Sequence, residues 1–215
     1  MGTLEESASR VIKQCLGAKP SEIFLAVTDP STRKIGEALY QAACTLMLQA
    51  HLMIMPETGK SGAEPTAVVA EAMKKAAIVV CPTKYSLTHT QARKDACTGG
   101  ARIATMPGIT EDMFQEGAIT ADYQKLAELT DRLSEILSKG SRVRLEKEGR
   151  VLELSIEGRK GISSNGLYTT PGSFGNLPTG EAYIAPIEGS AEGKVLIDGS
   201  LAEYGKVRGP LEVDV

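Results

Sequence analysis

The sequence contains no tryptophan, and aromatic residues make up only 4% of its 215 residues. Single-stranded nucleic acids are usually held by stacking of their bases on aromatic side chains, so this scarcity disfavours such a role. The chain also lacks a basic excess, because its formal net charge is −3 at pH 7. Without that excess it cannot neutralise a phosphate backbone, and we expect no nucleic-acid partner.

Long apolar runs are absent as well. A membrane-spanning helix needs roughly 20 apolar residues, whereas the most apolar region, residues 42–55, is interrupted by Gln49 and His51. The acidic N-terminus does not resemble a signal peptide. The four cysteines form no C-x-x-C pair, which indicates reduced thiols: Cys15, Cys44, Cys81 and Cys97. We therefore expect a cytoplasmic protein with no membrane partner.

Several catalytic motifs are also missing. The sequence has no H-E-x-x-H, no G-x-S-x-G and no G-x-G-x-x-G after its first predicted strand. Gly59-Lys60-Ser61 resembles the end of a phosphate-binding loop, but Ile54 stands where that loop requires a glycine. These absences disfavour a zincin, a serine hydrolase and a nucleotide-binding protein.

Strand-like and helix-like segments alternate through residues 1–140. Short apolar runs predict strands near residues 23–27, 52–55, 78–81 and 102–105. Helical periodicity and capping residues predict helices near residues 4–16, 32–49, 65–75 and 88–97. Because this alternation is typical of right-handed crossovers, we expect an α/β fold whose first domain, residues 1–140, is a parallel βαβ sheet covered on both faces.

The pattern changes near Gly140. A longer helix is predicted for residues 121–138, with one face lined by Leu126, Leu129, Leu133, Ile136 and Leu137. After it the apolar period falls to two, which predicts a hairpin turning at Glu148-Gly149 and further strands. We expect residues 141–215 to be the β-rich beginning of an α+β domain. Because the alternating run at residues 211–215 is followed by no turn or cap, we expect that domain to be incomplete.

A polar segment follows the third predicted strand and includes Ser86, His89 and Arg93. Open α/β sheets bind ligands beyond the carboxyl ends of their strands, so these three residues are candidates for ligand binding. His89 and Arg93 are four residues apart and would share a helix face. The alternative is that Ser86 or Thr88 caps the helix while His89 and Arg93 are solvated. His51 lacks a nearby partner in the sequence and is better explained as a core or edge histidine.

A second candidate is Glu181. Pro178 and Gly180 predict a turn immediately before it, and Glu181 would stand at the beginning of a strand. A carboxylate held in this way suits a metal ligand or a general base. A surface glutamate is the alternative, because one carboxylate does not make a site.

The stretch Asn176-Leu-Pro-Thr-Gly-Glu181-Ala-Tyr-Ile-Ala-Pro186-Ile-Glu-Gly-Ser190 resembles the signature of the aminopeptidase T family of metallopeptidases. Two earlier segments, residues 86–93 and 100–110, resemble the N-terminal domain of the same family, so the resemblance covers most of the chain. It implies a dinuclear metalloaminopeptidase that releases N-terminal, leucine-type residues from a peptide substrate. It further implies a homodimer and two divalent metal ions, zinc or cobalt, that activate a water molecule.

Among the ligands of that family, only the first glutamate has a counterpart in this chain, Glu181. The resemblance implies that residues 141–215 begin the metal-binding catalytic domain, and that the other ligands and the catalytic base lie beyond Val215. Neither His51 nor His89 matches a ligand of the family. We therefore expect these 215 residues alone to be inactive as a peptidase.

Two other functions remain open. Some iron-dependent dioxygenases that open hydroxypyridine rings resemble the same family in architecture. The chain could also be a non-catalytic α/β module for ligand binding or assembly.

Overall fold

The structure, a computed structural model, describes residues 2–201 and 204–215. The chain folds into two compact units. The first comprises Met1–Glu128 and Ser164–Gly180, and the second comprises Leu129–Ser163 and Glu181–Val215. Residues 164–180 thus belong to the first unit, although they follow the predicted domain boundary at residue 140. The division of the chain into domains 1–140 and 141–215 stays a prediction.

The helices and strands follow one another in the order that the sequence predicts for the first 140 residues. The helices are α1 (Leu4–Arg10), α2 (Arg33–Thr45), α3 (Ala67–Lys75), α4 (Gln91–Thr98), α5 (Glu111–Gln115) and α6 (Tyr123–Lys139). Strands β1 to β6 are Ile23–Thr28, Gln49–Ile54, Ile78–Thr83, Arg102–Pro107, Arg142–Lys147 and Arg150–Ser155. Strands β7 to β13 are Ile162–Ser164, Phe174–Asn176, Glu181–Tyr183, Glu192–Ile197, Ser200–Leu201, Gly205–Lys206 and Leu211–Asp214.

The first unit is built on a parallel sheet of five strands in the order β2-β1-β3-β4-β8. Strand β1 pairs with β2 on one side and with β3 on the other, and β4 pairs with both β3 and β8. All six residues of β3 are buried, as expected for a continuous apolar run at the centre of a parallel sheet. The predicted α/β fold is confirmed.

Side chains that alternate along the strands form a core on each face of this sheet. Phe24 and Val80 belong to one apolar cluster, which also contains the helical residues Ile12 and Leu39. Their sequence neighbours Leu25 and Val79 belong to the cluster on the opposite face. This period of two is that of a pleated strand buried on both sides.

Helix α4 begins three residues later than predicted. Thr90 has extended backbone angles, and its side chain accepts a hydrogen bond from the Arg93 N–H. Thr90 is therefore the N-cap, and neither Ser86 nor Thr88 has that role. His89 precedes the helix in a turn, so the predicted helix face shared by His89 and Arg93 does not exist.

The second unit contains an antiparallel sheet of four strands in the order β13-β10-β6-β5. The predicted hairpin is present, because Lys147 pairs with Arg150 across a two-residue turn. Both turn residues have positive φ angles, 50° at Glu148 and 75° at Gly149, which is the conformation whose twist suits a two-residue hairpin.

Helix α6 shows the predicted periodicity but leaves much of its aliphatic face in solvent. Leu129, Leu133 and Ile136 are 56%, 44% and 57% exposed, whereas Thr130 and Ser134 on the same helix are buried. The periodicity therefore predicts the helix but not the side on which it is covered. Within residues 2–201 and 204–215, no helix is both long and apolar enough to cross a membrane.

Candidate functional site

The order of strands creates a switch point in the first unit. After β1 the chain moves outward to β2 and then crosses back to β3, on the other side of β1. In open α/β sheets the loops that leave such a point run in opposite directions and open a crevice at the carboxyl ends of the strands. The loops that follow β1 and β3 therefore form the first candidate for a binding site.

A buried carboxylate fastens these two loops to each other. Asp29 is only 1% exposed. Its Oδ1 accepts hydrogen bonds from the Ser31 N–H at 2.9 Å and from the Ser31 hydroxyl at 2.5 Å. Its Oδ2 accepts a hydrogen bond from the Lys84 N–H at 2.6 Å. Because both carboxylate oxygens of Asp29 are engaged, this residue organises the walls of the crevice.

The hydroxyl of Thr32 adds a second connection between the same loops, since it donates to the Pro82 carbonyl at the end of β3. A cavity of about 520 Å³ lies beside it. Its lining residues are Ser31, Thr32, Lys84, Gly108, Ile109, Thr110, Glu111 and Asp112. Lys84 donates to Glu57 at 2.8 Å, and this hydrogen bond raises the pKa of Lys84 above its ordinary value. The crevice therefore offers an ammonium group, hydroxyls and carboxylates to a small polar molecule.

A second polar cluster lies at the junction of β4 and β8. The Thr88 and Thr105 hydroxyls are 2.7 Å apart, and both contact Asn176 Oδ1, at 2.9 and 2.7 Å. The hydroxyl of Ser86 donates to that of Thr88 at 2.9 Å. Asn176 begins the stretch that resembles the metallopeptidase signature, and here it fixes the edge strand β8 to the loop before α4.

Arg93 is buried, with 7% of its surface exposed, so the alternative in which Arg93 is solvated is wrong. Its Nε donates to the Thr88 carbonyl at 2.7 Å, and its guanidinium lies 3.7 Å above the ring of Phe174. The structure thus brings Ser86 and Arg93 to one polar cluster around Thr88, whereas His89 is exposed outside it. A role of these three residues in ligand binding stays a prediction.

Glu181 is the first residue of β9 in the second unit and is exposed. The predicted bend precedes it, with a φ of +151° at Gly180. Among the residues that the structure describes, no three His, Cys, Asp or Glu side chains are grouped so that they could hold a metal ion. One exposed carboxylate does not fit a metal centre, and the role of Glu181 as a ligand stays a prediction.

The sequence alone does not single out Asp29 and Lys84 as site residues. It indicates Asp29 only as a helix cap, a role that Asp29 has through Ser31. The available signal is its place, directly after a buried strand and before a proline. Its bond to Lys84 joins residues 55 positions apart, which no local pattern contains.

Comparisons with known proteins give the setting of these clusters. A family model described as NicX: 2,5-dihydroxypyridine 5,6-dioxygenase matches residues 7–202. No curated protein sequence matches significantly.

Two solved structures share the fold. One is 2,5-dihydroxypyridine dioxygenase from Pseudomonas putida KT2440, with 15% identity and a TM-score of 0.77 over 99% of this chain. The other is wild-type AmpT from Thermus thermophilus, with 16% identity and a TM-score of 0.66, also over 99% of this chain. The chain spans 65% of the length of the first structure and 68% of that of the second.

Proposed function

The chain belongs to the family described as NicX: 2,5-dihydroxypyridine 5,6-dioxygenase, and from this membership we propose that it takes part in the opening of a hydroxylated pyridine ring by dioxygen. The observation that carries the proposal is the match of the family model over residues 7–202, which extends through both compact units. This match favours the dioxygenase, the alternative that the sequence leaves open, over the aminopeptidase that the resemblance around Glu181 implies.

The crevice of the first unit suits a small hydroxylated ring. The Lys84 ammonium can donate to ring oxygens. Asp112 can accept from a ring hydroxyl, and so can the Ser31 oxygen, whose own proton is donated to Asp29. These groups converge on one cavity whose walls are held by Asp29. We expect this chain to hold the ring there, with the pyridine plane between the ends of β1 and β4.

The described residues do not supply the metal centre that we expect this chemistry to need. Glu181 is exposed, and no group of three metal-binding side chains is present in the described ranges. We therefore assign no step of oxygen activation to these residues, and the proposal assigns them substrate binding alone.

The test is an oxygen-uptake assay on the protein isolated from its native source, supplied with Fe²⁺ and 2,5-dihydroxypyridine. Consumption of one dioxygen for each ring lost would support the proposal. In parallel, a leucyl peptide is supplied with Zn²⁺ or Co²⁺. Release of the N-terminal residue, without oxygen uptake in the first assay, would replace the dioxygenase by the aminopeptidase.

The purified 215-residue chain is expected to bind the ring without consuming oxygen. The reason is that no three metal-binding side chains are grouped together among its described residues. Equilibrium binding of 2,5-dihydroxypyridine under nitrogen measures the first part. Lys84→Met should weaken it by roughly tenfold, the value of one charge-assisted hydrogen bond. Lys60→Met, a change at an exposed lysine that does not line the cavity, is the control. Equal affinity of both variants would show that the crevice is not the binding site.

A further inference from the structure

One edge of the parallel sheet is open. Strand β2 pairs with β1 and with no other strand in the described ranges. The Gln49 N–H donates to the Glu22 carbonyl and the Met55 N–H to the Thr28 carbonyl, so the odd-numbered residues of β2 face β1. Because alternate residues direct their backbone groups to opposite sides, the N–H and C=O groups of Ala50, Leu52 and Ile54 point away from the sheet.

This edge carries none of the features that usually protect an edge strand. Proteins place lysine, other charges, proline or a bulge on exposed edges to prevent pairing with another chain. Strand β2 has the sequence QAHLMI, and no Lys, Arg, Asp or Glu occurs between residues 46 and 56. Its register with β1 is continuous over six residues, without a bulge.

The other sheet edges differ. Strand β5 has the sequence RVRLEK and β13 has the sequence LEVD, so each carries charged side chains. The fourth edge of the two larger sheets, β8, has only three residues. The strands of the two-stranded sheets are equally short, with three residues in β7 and β9 and two in β11 and β12. Of all these edges, β2 alone is both long and uncharged, which indicates a surface that is covered by another strand.

Apolar surface flanks the edge on both sides. Met47 is 71% exposed before β2, and Ile54 is 46% exposed at its end. A cavity of about 350 Å³ lies next to the strand. Its lining is mostly apolar and includes one charged residue: Ile23, Leu25, His51, Leu52, Met53, Ala72, Lys75 and Ala76. A strand added to β2 would cover these side chains at the same time as it satisfied the backbone.

We propose that β2 pairs antiparallel with β2 of a second copy of this chain, about a two-fold axis at Leu52. In this register Ala50 faces Ile54 of the partner subunit, and Leu52 faces Leu52 of the partner subunit. All three outward N–H groups and all three outward C=O groups of each copy then find partners. The two sheets of five strands join into one of ten.

The charge pattern favours a second copy over a different protein as the occupant. A two-fold axis brings like residues close to one another, so a charged edge repels its own copy. Strand β2 has no charge to repel, whereas self-pairing of β13 would bring Glu212 and Asp214 of both copies together. The proposal is independent of the proposed function.

The test combines sedimentation velocity with amide hydrogen exchange on the 215-residue chain. We expect a dimer in which the amides of Ala50, Leu52 and Ile54 are protected. Ile54→Lys places a charge on the edge and should raise the dissociation constant of the dimer by more than about tenfold. The reason is that the dimer no longer buries the two Ile54 side chains and instead brings two lysines to the contact. It should also abolish the protection of the Ala50 and Leu52 amides.

Leu133→Lys is the matched control, since Leu133 on α6 is 44% exposed, close to the 46% of Ile54. It should leave the dimer and the protection unchanged. Ala50→Pro is the second variant, because it removes an N–H that the fold does not use and should also give monomers.

Three outcomes would overturn the proposal. One is a monomer at all concentrations. Another is a dimer whose β2 amides exchange freely. The third is a dimer that Leu133→Lys dissociates and Ile54→Lys does not, which would assign the contact to α6.

Discussion

Arg93 shows how a residue can be recognised from sequence while its environment is not. Its place after a predicted strand marks it as a candidate. Its burial depends on Phe174, which lies 81 positions further along the chain than Arg93. Phe174 reaches Arg93 because β8 pairs with β4. No periodicity within the segment 86–93 contains that contact, so the sequence leaves a solvated arginine open.

Replacing Arg93 tests its structural role. Arg93→Met should lower the free energy of unfolding by about 2–3 kcal/mol, because the Thr88 carbonyl loses a charged donor and Phe174 loses the stacked guanidinium. Urea unfolding measures the change. Arg33→Met, which removes an exposed pair with Glu37 on α2, is the control and should cost less than about 0.5 kcal/mol. Equal losses would show that Arg93 has no special role.

The buried thiols predict a loss of stability at alkaline pH. Burial raises the pKa of Cys15 and of Cys81 from 9.0 to about 12. An unfolded thiol therefore ionises first, so unfolding releases protons above pH 9 and the native state loses stability as the pH rises towards 12. Each thiol contributes at most about 1.4 kcal/mol for each pH unit in this window.

Urea unfolding at pH 8 and at pH 10.5 measures this loss. In Cys81→Ala the decline should be smaller than in the unmodified chain. In Cys44→Ala it should be unchanged, because Cys44 is exposed. A decline of equal size in all three proteins would assign it to other groups.

At the scale of elements, the local sequence best predicts those structures that the conformation of a few backbone residues determines. The hairpin of β5 and β6 follows from two alternating runs that flank Glu148-Gly149, and the structure confirms it. Helix α6 is the opposite case. Its aliphatic spacing predicts a helix, but Leu129, Leu133 and Ile136 remain exposed, because coverage depends on partners that spacing does not specify.

The hairpin turn offers a clean measure of backbone strain. A Cβ added to Gly149 would meet no atom within 4 Å, so a substitution there costs backbone energy alone. Gly149→Val should lower the free energy of unfolding by about 1–2 kcal/mol, because its φ is 75°. Glu148→Gly, at a φ of 50°, should be neutral or slightly stabilising. Thermal unfolding followed by circular dichroism measures both, and a neutral Gly149→Val would show that the turn adapts.

At the scale of the whole molecule, the sequence predicts only part of the five-stranded sheet. Four strands follow from apolar runs in the first 107 residues. The fifth, β8, is a Phe-Gly-Asn segment of three residues that pairs with β4 across about 70 positions of chain. Such a short strand has no pattern of its own, and only its long-range hydrogen bonds define it.

Truncation tests whether residues 164–180 complete the first unit. Tyr168 is buried in its core, and the Tyr168 N–H donates to the Cys15 carbonyl at 2.7 Å. A fragment of residues 1–140 loses Tyr168 and β8 together and should lack a cooperative thermal transition, whereas a fragment of residues 1–180 should retain one. Equal melting of both fragments would instead support the predicted domain boundary at residue 140.

The double attachment of Asp29 has a consequence for the energetics of ligand binding. One carboxylate oxygen of Asp29 holds Ser31 in the loop after β1, and the other holds Lys84 in the loop after β3. The crevice therefore keeps its shape before any molecule enters. An arriving ring gives up its own rotation and translation but requires no ordering of the chain. Calorimetry should therefore record an enthalpy of binding that changes little with temperature, as expected for a preorganised site.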